Sequence, residues 1–383
     1  MKKSLIALAV AAFASSAVSA ATVYDKDGTT FAVGGRVQSV YYSGQFDAAG
    51  NNDSSIVNTS RLNISGRSEI APGIAAFGFA EWNTADGDTG GNGDGMSARD
   101  QYIGVDFGKF GAVSVGRSYD ALYQVIGVTD IYEDLGGNGI FGDSDRRAGN
   151  IKYVWEGYGV YAAASFQSAK DDIAVEGAND DGVMSVNHGY SAVLGYTTPS
   201  VFFGPISVKA GYTYLAGQND AKYKDTYGLD NMKEWAASAT WGNLDTGLYL
   251  AAVYDQRKFD YVYGGVDGLF PGNLNGIANQ SFKGIEALVG YGFGNGLSVI
   301  ASWQYQRVNI QPESATFAEV EYIIRKVPVL VNYNFNSNFN VWFETSFDMG
   351  SDEQVNIKNV QIDEKLETDA DHTYFAVGAR YTF

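Results

Sequence analysis

The sequence predicts an all-β protein, a sixteen-stranded antiparallel transmembrane β-barrel with one long segment folded into its lumen. Three observations lead there. Apolar and polar residues alternate with a period of two over many stretches of about ten residues, the length of a tilted membrane-crossing strand. Beyond the N-terminus no stretch approaches the ~18 apolar residues that a membrane-crossing helix needs. Aromatic residues and glycine are abundant, with 26 Tyr, 22 Phe and 47 Gly in 383 residues, and proline is scarce.

Residues 1–20 read as an export signal. Met1-Lys2-Lys3 is a positive start, Leu5 to Phe13 a short apolar core, and Val18-Ser19-Ala20 places small residues before a cut ahead of Ala21. Residues 21–383 then form one barrel domain. Its loss of Lys2 and Lys3 takes the net charge from −18 to −20. So acidic a chain lacks the basic footprint of a nucleic-acid binder. Cysteine is absent, which excludes disulfides and thiol chemistry.

Candidate strands follow at 31–43, 56–70, 74–84, 98–108, 111–117, 147–155, 158–168, 188–198, 205–216, 230–242, 245–257, 281–293, 296–308, 316–335, 338–349 and 372–383. The even number suits a bacterial barrel. The last strand shows the pattern plainly. Phe375, Val377, Ala379, Tyr381 and Phe383 share one face, and Ala376, Gly378, Arg380 and Thr382 the other. Leu297, Val299, Ala301, Trp303 and Tyr305 oppose Ser298, Ser302 and Gln304, and Ile285 to Phe293 repeats the arrangement. A soluble sandwich would alternate in the same way. Aromatic residues at the ends of the apolar faces, short turns alternating with long acidic loops, and export itself favour the membrane barrel. Lipid tolerates no open sheet edge, so the strands must close, and sixteen of them leave an aqueous lumen.

One segment, 118–146, is too apolar for a solvated loop and does not alternate. Folded into the lumen, it would pack its apolar residues on the wall and turn Asp130, Glu133 and Asp134 to the water. A charge facing lipid at mid-depth costs about 2–4 kcal/mol. Arg36, beside Gly34 and Gln38 on its face, and Arg61, beside Asn63 and Ser65, therefore face inward. Glu81 falls on the side of 74–84 away from Ala76 and Gly78. Arg99 sits on a strand that alternates poorly.

Several motifs, in order along the chain, resemble the general (matrix-type) porins of Gram-negative outer membranes. They are Val23-Tyr-Asp-Lys-Asp-Gly28, Ala98-Arg99, Gly-Lys-Phe-Gly at 108–111, Arg117-Ser-Tyr119, Thr129-Asp130, Asp134-Leu-Gly-Gly137, Glu234-Trp235-Ala236, Leu248 to Tyr254, and the terminal Tyr381-Thr-Phe383. The resemblance implies that 118–146 is a constriction loop, although Glu133 replaces a proline of the family's turn and Asp134 stands where the family has Glu. It implies that Asp130, Glu133 and Asp134 face a basic wall of Arg36, Arg61, Arg99 and one of Arg146 and Arg147. It implies a homotrimer in which the loop containing Asp86 and Asp88 latches onto a neighbour near Arg117. Gly66, Ala76 and Gly78 give the early strands a weak outer face, as a subunit contact would require. The expected partners are small hydrophilic solutes and ions, outer-membrane lipid with lipopolysaccharide, and the barrel-assembly machinery through Phe383. No cofactor or metal is expected, although Asp86, Asp88 and Asp94 among glycines are of a type that could hold Ca²⁺.

The function that follows is passive diffusion of ions and small hydrophilic solutes across the outer membrane. A sugar-specific channel is the alternative, with Tyr161, Tyr249 and Trp342 on predicted inner faces and Tyr119, Tyr123 and Tyr132 in the loop. A barrel hydrolase is remote, because only His188 and His372 are available as bases.

Overall fold

The computed structural model describes residues 20–43, 56–84, 95–136, 146–177, 183–218, 228–262, 277–312, 319–357, 360–362 and 374–383. A hairpin opens the chain, β1 (Ala21–Lys26) and β2 (Thr29–Tyr42). Asp27 and Gly28 join them with φ of 55° and 74°, the left-handed pair that a two-residue turn matched to strand twist requires. The early wall continues through β3 (Ile56–Ala71), β4 (Ile74–Thr84), β5 (Ser97–Asp106) and β6 (Ala112–Tyr119). After a one-turn helix, α1 (Tyr123–Ile126), come β7 (Arg146–Gly157), β8 (Val160–Gln167), β9 (Lys170–Ala174), β10 (Val183–Thr197), β11 (Ile206–Gly217) and β12 (Gly228–Gly242). The chain ends through β13 (Thr246–Val262), β14 (Ile277–Phe293), β15 (Leu297–Pro312), β16 (Glu319–Asn334), β17 (Phe339–Asp348), β18 (Asp352–Ile357), β19 (Val360–Ile362) and β20 (Tyr374–Thr382).

Every pairing is antiparallel. β20 pairs with both β17 and β2, which closes the sheet on itself. Sixteen strands make the wall, as the alternation predicts. β9 and β18 are outward continuations of β8 and β17, since they pair with β10 and β16 above them, and β19 pairs only with β18. β1 pairs with the start of β2, where β20 has ended, so the first and last strands share one position in the wall. The backbone bonds between Gly35 and Phe383 mark that junction.

Charge and burial alternate with the pleat. On β14, Ala287, Val289, Tyr291 and Phe293 are exposed on the outside, whereas Glu286 and Leu288 are buried on the inside. The outward series ends at Lys283, the point where lipid gives way to water. β14 runs on to Ile277 and β10 begins at Val183, both further toward the long loops than the alternation indicates. Above the lipid no apolar face is required, so nothing in the pattern marks those ends. Pairs such as Tyr291 with Phe293 and Tyr333 with Phe335 line the rim near the short turns, and Trp235 with Tyr254 lies nearer the long loops. These are the two aromatic girdles.

Candidate functional site

The segment after β6 lies against the inner wall and is fastened at both ends. Asp120 starts it. Its carboxylate accepts the Leu122 N–H at 2.9 Å, the Thr213 hydroxyl at 3.0 Å and a guanidinium N–H of Arg147. The Ala121 N–H donates to Ser165 and Ser191, on β8 and β10. α1 then buries Leu122, Val125 and Ile126 against Val154, Tyr161, Ala163, Val193, Ala236 and Val253. Small residues on the wall make room for the helix. The Tyr249 hydroxyl donates to the Val128 carbonyl at 3.0 Å, and that of Tyr132 to the Pro328 carbonyl.

The tip of the segment is held by charge. Glu344 of β17 accepts the backbone N–H groups of Glu133 and Asp134, at 2.9 and 3.1 Å, and that of Leu135. Asp134 accepts from the Tyr42 hydroxyl and the Trp342 indole, both at 2.8 Å. Glu133 is ion-paired with Arg380 of β20. Leu135 packs among Val40, Ala251, Leu288, Ile300, Leu330, Trp342 and Ala376. The segment thus leaves the wall at β6 and meets it again at β17, β20 and β2, reaching across the lumen. Burial pushes the Asp134 carboxyl above its usual range, although its two donors pull the other way. Asp130 is exposed and accepts the Tyr123 hydroxyl at 2.6 Å. Burial and that carboxylate push the Tyr123 hydroxyl upward.

The basic residues gather on the inner wall from β2 to β7, beside the segment. Arg36 and Arg61 are cross-strand partners. Arg61 interacts electrostatically with Arg36, Arg99, Glu81 and Arg146, and Arg36 with Arg380, Glu133, Arg99 and Glu81. Arg99 pairs with Glu81 at 2.7 Å, and Arg146 with Asp100 at 2.9 Å. The β4–β5 register slips by one at Arg99, between Ala98 and Asp100. That bulge explains the poor alternation there and turns Arg99 inward. Arg146 also lies over the Tyr119 ring at 3.9 Å, and Tyr119 stacks on Tyr123.

Arg146 therefore takes the last place in the cluster. Arg147 does not line the open lumen: it is 2% exposed and closes the base of the segment on Asp120. Arg117 donates its Nε to the carbonyls of Ala98 and Arg99. Asp86, Asp88, Asp94, His372, residues 137–145 of the segment and residues 1–19, where an export signal is expected, lie outside the described residues. Tyr161, Tyr249 and Trp342 do face inward, but they brace the segment rather than forming a free aromatic track. Sequence reasoning missed the partners Tyr42, Asp100, Asp120, Glu344 and Arg380. For Arg380 the signal was present, as an arginine on the inner face of the last strand.

A closed sixteen-stranded barrel with an apolar outside, a charged inside and a segment spanning its lumen defines a water-filled membrane channel. The model of the Gram-negative porin family matches residues 7–383, and the chain belongs to that family. Outer membrane porin F of Salmonella typhi is 25% identical, covering the whole of both chains. Outer membrane porin PhoE of Klebsiella oxytoca is likewise 25% identical over the whole of both. Among solved structures, Salmonella typhi OmpF in complex with daunomycin superposes with a TM-score of 0.67 at 19% identity. That match covers 95% of this chain and all of that one. OmpT of Vibrio cholerae gives 0.64 at 17%, with the same coverage. The protein is a general diffusion porin of the outer membrane, a passive channel for ions and small hydrophilic solutes and not an enzyme.

Proposed function

We propose that Asp130, Glu133 and Asp134 on the inner segment, and Arg36, Arg61, Arg99 and Arg146 on the wall facing it, form the constriction of this pore. Arg147, through Asp120, positions the base of the segment. The reading rests on one observation above all. A segment carrying three carboxyl groups is fixed inside the lumen next to a cluster of arginines, close enough for Glu133 to interact with Arg36. Opposite charges on two walls of a narrow, water-filled gap set up a transverse field. Water and dipolar solutes align in it and pass. A bulky apolar solute would have to disrupt that ordered water with no compensating contact. Side-chain charge at the narrow point also sets ion preference.

The working unit in this reading is a homotrimer, associated through the outer face of β2–β6. Gly66, Gly78, Phe31, Ile103 and Val115 line a groove of 840 Å³ there. The Asp86 and Asp88 loop would latch onto the neighbour beside Arg117. The remaining outer surface meets lipid and lipopolysaccharide, and the C-terminal strand with Phe383 is presented to the barrel-assembly machinery. Residues before Ala21 serve export.

Planar-bilayer conductance of the unheated protein in a KCl gradient tests the reading. Large steps closing in threes are expected. Neutralising Arg36 and Arg61 together should shift the reversal potential toward cations, and neutralising Asp130 and Glu133 should shift it toward anions. No shift from either pair would remove these residues from the narrow point.

A further inference from the structure

A second segment folds inward, above the first. β13 shows the two in order. Its inward residues Tyr249, Ala251 and Val253 meet the loop that contains α1. Four residues further toward the long loop, about 13 Å along the strand, Arg257 donates its Nη1 to the Glu176 carbonyl at 2.7 Å. Glu176 follows β9, which pairs with β10. β13 lies three strands from β10, so the chain crosses about 14 Å of inner wall to make this bond. Ile173 and Val175 go with it. Val175 is 0% exposed, in one cluster with Leu215, Met232, Phe259, Phe282 and Val308, inner residues of β11 to β15. A wall facing open water would leave such side chains wet. Arg257 is 1% exposed and is held by Glu234, to which both its Nε and Nη2 donate. The exposed side of the segment carries Lys170, Asp171 and Asp172.

We infer that Lys170–Gly177 is a second barrier in series with the constriction, at the long-loop mouth of the pore, and that Arg257 is the residue that positions it. Solutes entering from that side meet this barrier first, so it shares in setting the size limit of the channel. Arg257 touches no solute. It acts through the backbone of Glu176, anchored by Glu234. The inference rests on the diffusion-channel reading and can fail without it.

The test uses the full-length protein in bilayers and liposomes, with Arg257→Gln and Val175→Asp. The first removes the positioning residue, and the second drives the segment off the wall while leaving the Glu234–Arg257 pair intact. Both variants should conduct more per channel than the parent and shift the swelling cut-off to larger sugars. The chain has no cysteine, so Val175→Cys places a single thiol in the cluster. A bulky maleimide should modify it on the order of tenfold more slowly in the parent background than beside Arg257→Gln, as local opening predicts. If Arg257→Gln fails to assemble, Val175→Asp decides through conductance and cut-off. Rapid modification of the thiol in the parent overturns the inference. So do unchanged conductance and cut-off in the variants that assemble. A parent that does not conduct at all would instead overturn the channel reading.

Discussion

Glu344 shows how much one residue can carry. Its carboxylate accepts three consecutive N–H groups at the loop tip, and hydrogen bonds to a charged group contribute about 1.5–3 kcal/mol each. Glu344→Gln halves the acceptor capacity and removes the charge. It should free the tip, giving noisier current and more frequent closures with the barrel intact; single-channel records at fixed voltage check this. Asp134 gives a pH prediction. Its folded-state value is raised by burial, so a proton stabilises the folded tip, and that stabilisation is lost as pH rises through the raised value. Acidification therefore neutralises Asp134 before an ordinary Asp near ~4. The cation share of the current should begin to fall above that range, and Asp134→Asn should flatten that part of the profile. At this scale the sequence was legible wherever lipid enforced a choice of face, as at Arg36 and Arg61. It was not legible where two residues meet across the lumen. Arg380 and Glu133 are 247 positions apart, and no local pattern encodes such a pairing. The facing of Arg99, though not its place in the basic cluster, could not be read, because a bulge breaks the period on which the reading depends.

At the scale of elements, the loop is as much a packed element as any strand. α1 has four residues, too short to be stable as a free helix. Its helicity is supplied by the wall it lies on. Val125 is fully buried there with Leu122 and Ile126. Val125→Asp would bury a carboxylate with no partner on the apolar wall, a cost of several kcal/mol that lifting the loop avoids. The expected outcome is a pore with a larger sugar cut-off and new protease sensitivity in the loop, with the β-sheet circular dichroism unchanged. The strands could be read because alternation is their physical requirement in lipid. The hairpin extension β9 could not. It lies above the lipid, where no alternation is imposed, and Asp171, Asp172 and Glu176 hide the apolar Ile173 in the strand and Val175 just after it.

For the whole molecule, two apolar outer surfaces must be told apart. Ile103 on β5 is 71% exposed, and Leu194 on β10 is 65% exposed, in the single chain. For a lone barrel both face lipid, and a lysine at either position would cost a similar ~2–4 kcal/mol at mid-depth. In the proposed trimer they differ. Ile103 lies in the glycine-lined groove of β2–β6 and would be covered by protein, whereas Leu194 stays in lipid. A lysine at 103 would then have to be buried in a subunit contact, in a groove whose described lining includes Arg67 and no carboxylate. Ile103→Lys should abolish the trimer band of unheated samples, or lower its dissociation temperature, while leaving folded monomer. Leu194→Lys should reduce insertion yield yet leave the surviving trimers as heat-resistant as the parent. Equal behaviour of the two variants would mean that β2–β6 faces lipid like the rest of the wall, and the groove would then be only a run of small residues.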